Sequence, residues 1–196
     1  MGNHQPSVQI LTNYFSRFRS IVDGVSLIQV AQLAEEIQQA KARSGKVFVC
    51  GNGGSAALAS HFVTDLGSGS VDRGEYFPMI SLVDGSPALT AAANDFGYEY
   101  IFSRQLRTFG SSKDLLIVIS SSGNSQNLIE AVMTAGTFSM KTFGLLGFDG
   151  GKLRTLVDIA IVVESDIGEY GPIEDTHSCV LHAVTELLRK GSEVEQ

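Results

Sequence analysis

Two apolar runs in this chain each break into a glycine- and serine-rich turn and then into a helical pattern, which leaves few folds open. The first is Lys46-Val47-Phe48-Val49-Cys50, followed by Gly51-Asn52-Gly53-Gly54-Ser55. The second runs from Leu115 to Ile119 and is followed by Ser120-Ser121-Ser122-Gly123-Asn124-Ser125. The first reads as a short strand, and the second, apolar at every position, as a strand covered on both faces. Further strands are expected over 79–82, 142–146 and 159–163. Helical spacing is read over 8–44 with a break near Asp23-Gly24, and then over 56–66, 86–93, 98–109, 126–138, 152–156 and 173–190. Strands that alternate with helices predict a parallel sheet wrapped on both sides, an α/β three-layer sandwich. In such sheets ligands sit beyond the carboxyl ends of the strands, where both turns fall.

The chain's 196 residues suffice for one α/β domain with its own core. Apolar residues are 43% and charged residues 18%, a globular composition. A net charge of −7 argues against a nucleic-acid partner but leaves room for a small anion held by backbone N–H groups. No apolar run is long enough for a transmembrane span. Asn3, His4 and Gln5 do not begin a basic stretch followed by an apolar one, so no signal peptide is read and a cytoplasmic location is expected. Cys50 and Cys179 have no CxxC partner, and two buried, reduced thiols are the expectation.

Glycines allow φ > 0 and close approach of the backbone to an anion. A following helix adds unpaired N–H groups and the positive end of its dipole. Four hydroxyls in the second turn suit a phosphate with three exposed oxygens. Neither turn is the GxxxxGK[ST] nucleotide loop or the GxGxxG dinucleotide fingerprint. Each turn alone is equally a capped helix start; two in one parallel sheet favour a phosphorylated ligand.

Taken in order, five segments resemble a known family. Val49 to Ser55 followed by Ser60-His61-Phe62, then Ala93-Asn94-Asp95-Phe96-Gly97, then Ile119 to Ser125, then Gly147-Phe148-Asp149-Gly150-Gly151-Lys152, then Ile173-Glu174-Asp175-Thr176-His177 with His182 after it, resemble the SIS (sugar isomerase) domain family and its sedoheptulose 7-phosphate isomerases. The resemblance implies a single domain over 1–196, with an N-terminal helical segment (1–44) used for oligomerisation and a flavodoxin-like core with its C-terminal helix (45–196). It implies aldose–ketose isomerisation of sedoheptulose 7-phosphate toward heptose for lipopolysaccharide or other glycans. It also implies a homotetramer with active sites at subunit interfaces, and a divalent metal, zinc in several members, one per subunit. Carried over by position, Asn52, Gly53, Gly54, Ser55, Ser120, Ser121, Ser122 and Ser125 hold the phosphate and nearby hydroxyls. Asn94, Asp95 and Glu174 contact substrate. His61, Asp65, Glu174 and His182 bind the metal, with Asp65 and His182 catalytic. The heptose isomerases carry glutamate at position 65, glutamine at 174 and an acidic residue at 171; this chain has Asp65, Glu174 and Gly171. Similar domains also serve without catalysis, as in a tetrameric protein that binds the bacterial replication initiator DnaA, or as sugar-phosphate sensors; the histidine at 182 favours the enzyme.

Isomerisation moves a proton between adjacent carbons and needs a base there, with an acid or a metal at the oxygens. His61 and Asp65, spaced i and i+4, share one helix face and can reach one metal. Glu174 and His182 lie about 12 Å apart along a continuous helix. They can share a metal only if the helix starts after Glu174 or if two chains supply the ligands; His177 is an intervening alternative. A surface pair for His61 and Asp65, a core position for His182, and a structural role for His177 stay open. Arg73, Arg104 and Arg107 are candidates to steer an anion, with a solvated role as the alternative.

Overall fold

In the computed structural model, residues 5–73 and 76–194 are described. Within these residues five strands form: β1 (Val47–Gly51), β2 (Met79–Ser81), β3 (Leu115–Ser120), β4 (Lys141–Gly147) and β5 (Ile159–Val163). They make one sheet in the order β2-β1-β3-β4-β5, with every neighbouring pair parallel. This is the flavodoxin-like order, whose direction of winding reverses between β1 and β3. Among the described residues, eight α-helices accompany them: α1 (Gln5–Asp23), α2 (Leu27–Ala42), α3 (Gly54–Leu66), α4 (Ser86–Phe96), α5 (Ser103–Phe109), α6 (Gln126–Thr137), α7 (Leu153–Leu156) and α8 (Tyr170–Val194).

Alternation along the strands makes the two faces. Val47 and Val49 of β1 join Ile117 and Ile119 of β3 under α1, α2, α3 and α8. Phe48 and Cys50 join Leu116 and Val118 under α4, α5, α6 and α7. Both central strands are buried at every position, which is why their sequences are continuously apolar. The break between α1 and α2 falls where Gly24 closes a turn on Ile21 and Ser26 caps the next helix by accepting from the Gln29 N–H.

Several element boundaries differ from the sequence expectation. Helix α3 begins at Gly54 because Gly53 takes φ +55° and turns the chain at once. The stretch expected as one helix over 98–109 is a 3-10 turn, Tyr98–Tyr100, followed by α5. Helix α8 starts at Tyr170, three residues early, with Pro172 in its first turn, where a missing N–H costs nothing. Cys50 is buried and burial raises its thiol pKa, but Cys179 is exposed, contrary to expectation, because α8 turns residues 177, 180 and 181 inward and 179 outward. Among the described residues no helix is long and apolar enough to cross a membrane. His4 and the Arg73 side chain, both singled out in the sequence, lie outside the described residues.

Candidate active site

The two turns meet at the carboxyl ends of β1 and β3, on either side of the switch in strand order. Asn52, Ser55, Ser120, Ser121, Ser122, Ser125 and Glu174 line one cavity of about 250 Å³, with Ile119, Leu128 and Tyr170 completing it. Helices α3 and α6 both point their N-termini there, so free N–H groups and positive dipole ends converge on the cavity. The Ser120 hydroxyl accepts the Gly123 N–H at 3.0 Å, leaving its own O–H free to donate. Ser125 is the N-cap of α6, yet its side chain makes no capping bond. The second turn is braced from behind. Gly123 at φ +63° lies against the Gly150 carbonyl, where a Cβ would overlap it, and the Lys152 N–H donates to Asn124 Oδ1 at 3.1 Å.

Helices α3 and α8 run side by side from this cavity. At their start, the Glu174 carboxylate lies over Gly54, so closely that a Cβ on residue 54 would collide with it. Two turns further along, three side chains converge. His61 Nε2 and His182 Nε2 are 3.0 Å apart. Asp65 Oδ2 is 3.3 Å from the first and 3.6 Å from the second. Their rings and carboxylate remain accessible, at 53%, 55% and 30% side-chain exposure for His61, His182 and Asp65. His182 is therefore not a core histidine. A tetrahedral ion with bonds of about 2.0–2.1 Å holds its ligand atoms roughly 3.4 Å apart, and the three distances bracket that value. The set could hold a divalent ion.

Glu174 lies outside this set. Helix α8 is continuous from Tyr170, so the rise of about 12 Å between positions 174 and 182 applies, and the carboxylate faces the serine-lined cavity instead. Asn94 and Asp95, hydrogen-bonded to each other at 2.8 Å, sit exposed at the end of α4 and do not line the cavity. Arg104 stacks on the Phe96 ring.

Two features were not legible in the sequence. Tyr170 enters the cavity wall with its ring packed edge-on against Phe148, placed by Arg17 of α1, which grips Glu169 through two hydrogen bonds of 2.8 and 2.7 Å. That pairing lowers the Glu169 pKa. Tyr14, also on α1, fills the space that a side chain at Gly171 would occupy and donates to Asp175 Oδ2 at 2.5 Å. The Asp175 carboxylate that accepts its hydrogen bond pushes the Tyr14 hydroxyl pKa up to about 12. His177, three residues after Glu174, is fully buried; its ring nitrogens have no well-formed hydrogen bond, although the Leu146 carbonyl is near. Burial lowers its pKa to about 4, so the ring is neutral at pH 7 and is no ligand of the exposed set.

A doubly wound sheet whose switch point carries two serine-lined turns, beside a His/Asp/His set, defines a phosphosugar-binding α/β protein. Residues 13–147 match the SIS domain family, and the chain belongs to that family. Its relatives narrow the group. The phosphoheptose isomerase of Syntrophotalea carbinolica is 36% identical over 183 residues, covering 92% of each chain. That of Helicobacter pylori strain P12 is 42% identical over 147 residues, 74% of this chain and 75% of the relative. The solved phosphoheptose isomerase of Neisseria gonorrhoeae superposes with a TM-score of 0.84 at 33% identity, covering 94% of this chain and 97% of the other.

Proposed function

We propose that this protein is an aldose–ketose isomerase that interconverts sedoheptulose 7-phosphate and an aldoheptose 7-phosphate for heptose biosynthesis. One observation carries the reading beyond the relatives' names: the cavity, which Ser55 of α3 and Glu174 of α8 help to line, and the His/Asp/His set lie along the same pair of helices, about two turns apart. Ser55 and His61 are separated by about 9 Å of helix rise, and Glu174 and His182 by about 12 Å. In a seven-carbon ketose phosphate, seven or eight bonds separate phosphorus from the reacting carbons C2 and C1. At the extension of an open chain, about 1.2 Å per bond, that is roughly 8–10 Å. A five-carbon ketose phosphate falls two bonds short.

In this reading Ser55, Ser120, Ser121, Ser122 and Ser125, with the N–H groups of Gly53 and Gly54, hold the phosphate. Asn52 adds a donor to the phosphate, Glu174 meets the adjoining groups, and Asn94 and Asp95 contact sugar hydroxyls beyond the cavity. Asp65 Oδ2 faces both imidazoles, which leaves Oδ1 free to take the proton from C1 and return it to C2. His182 serves the accompanying transfer of the hydroxyl proton from O1 to O2. His61, Asp65 and His182 are also the residues that would hold a divalent metal. We take the metal to be zinc, one per subunit, because two imidazoles and a carboxylate suit it. When bound it supplies Lewis-acid polarisation of the two oxygens.

Residues 1–196 are taken as one SIS domain, since α1 and α2 share the core under the sheet. The assembly is taken as a homotetramer in the cytoplasm with sites at subunit interfaces. Val8, Leu11 and Phe15, spaced along one face of α1, are 57%, 56% and 54% exposed, and a contiguous apolar seam of this kind fits a second copy of the chain. Light scattering that gives a 20.9 kDa species at micromolar concentration overturns the assembly. The function is tested by NMR on five-, six- and seven-carbon ketose phosphates, with metal analysis of the protein as purified. Turnover confined to the seven-carbon substrate is expected; faster turnover of a five-carbon ketose overturns the reading.

A further inference from the structure

We infer that Tyr98 and Asn127 are positioning residues that hold the Asn52 amide so that it presents only a hydrogen-bond donor to the phosphate cavity. The inference rests on the reading of that cavity given above.

An asparagine amide has two acceptor lone pairs and two N–H donors. At Asn52 three of the four are already committed. Asn52 Nδ2 donates to Asn127 Oδ1 at 2.9 Å. Asn52 Oδ1 accepts from Asn127 Nδ2 at 2.8 Å and from the Tyr98 hydroxyl at 2.9 Å. One N–H remains, and Asn52 lines the cavity. A fully ionised phosphate has only acceptors to offer, so a lone donor fits it and a carbonyl oxygen in the same place repels it.

The clamp also ties the two turns together. Asn52 sits in the turn after β1, and Asn127 in the first turn of α6, directly after the serine turn. Asn127 is 1% exposed, so its pairing with Asn52 is sheltered from water. Tyr98 comes from the 3-10 turn after α4, is 59% exposed, and completes the set. A reciprocal amide pair is unchanged when both amides flip together. The Tyr98 hydroxyl donates to the second lone pair of Oδ1, and because a phenol donates more strongly than it accepts, it favours this orientation over the flipped one, in which Nδ2 would face the phenol oxygen; without it the two orientations are equivalent and an acceptor can stand where the donor stood.

Asn127 is buried, and its variants risk the fold, so exposed Tyr98 carries the test. Tyr98→Phe is expected to raise the Kd for inorganic phosphate, measured by calorimetry, and the KM for sedoheptulose 7-phosphate by about three- to tenfold, the range of one neutral hydrogen bond. Turnover at saturation stays within about twofold and the urea midpoint does not move. Asn52→Ala raises both constants, and adding Tyr98→Phe to it has no further effect, because the hydroxyl acts through Asn52. If Asn52→Ala changes neither constant, the cavity reading itself fails. If Asn52→Ala raises them while Tyr98→Phe does not, or if Tyr98→Phe acts equally in both backgrounds, the positioning role is overturned and the cavity stands.

Discussion

Acidification should destabilise this protein through one residue outside the proposed reaction. His177 lies wholly inside the core, on the face of α8 that packs against the sheet. Its imidazole is held neutral because burial disfavours the cation, and its pKa falls from 6.5 to about 4. The unfolded chain takes up that proton near pH 6.5; the folded one resists until about pH 4. Native stability is therefore complete above the unfolded value, and it declines as pH falls through 6.5 toward 4. A difference of about 2.5 pKa units is worth roughly 3 kcal/mol, and about 2.5 kcal/mol of it should be gone by pH 4.5. Urea unfolding of wild type and His177→Leu at one protein concentration, from pH 8 to pH 4.5, isolates this residue, because contributions from other groups cancel in the difference. The variant also loses two unpartnered buried nitrogens, so it should be no less stable than wild type at low pH. Parallel pH profiles for the two proteins would refute the argument and show that the folded state finds a partner for the charged ring.

Two further outcomes follow from the site. Asp65→Asn should abolish isomerisation, read by NMR, while the calorimetric affinity for inorganic phosphate stays within about twofold, because the serine turns lie two helical turns away; full turnover in the variant removes Asp65 from the reaction. Ser125→Ala should weaken phosphate binding about tenfold, as expected for one hydrogen bond to a charged group, with no change in urea midpoint because the Ser125 side chain makes no capping bond; a matching loss of stability would make Ser125 a helix cap instead.

Much of this architecture is written locally. The continuous apolar runs at 47–50 and 115–119 announce buried parallel strands, since only a strand covered on both faces tolerates apolar residues at every position. Glycine in the first turn and serine in the second follow directly, because backbone that curls around an anion needs φ > 0 and nearby hydroxyls. The i, i+4 spacing of His61 and Asp65 places them together before any fold is known.

Where separate elements meet is another matter, because no local pattern encodes it. Whether Glu174 and His182 share a centre depended on where α8 begins. The start at Tyr170 separates the two by about two helical turns, and leaves Glu174 over Gly54 while His182 meets His61. Tyr170 and Tyr14 reached the site only because α1 packs along α8, and Asn127 became an amide partner only when the strand order set β1 beside β3. Composition and periodicity state which side chains face inward. Only the packing of one helix against another decides which of those side chains touch, since a contact between residues a hundred positions apart is a property of the folded chain and of no segment within it.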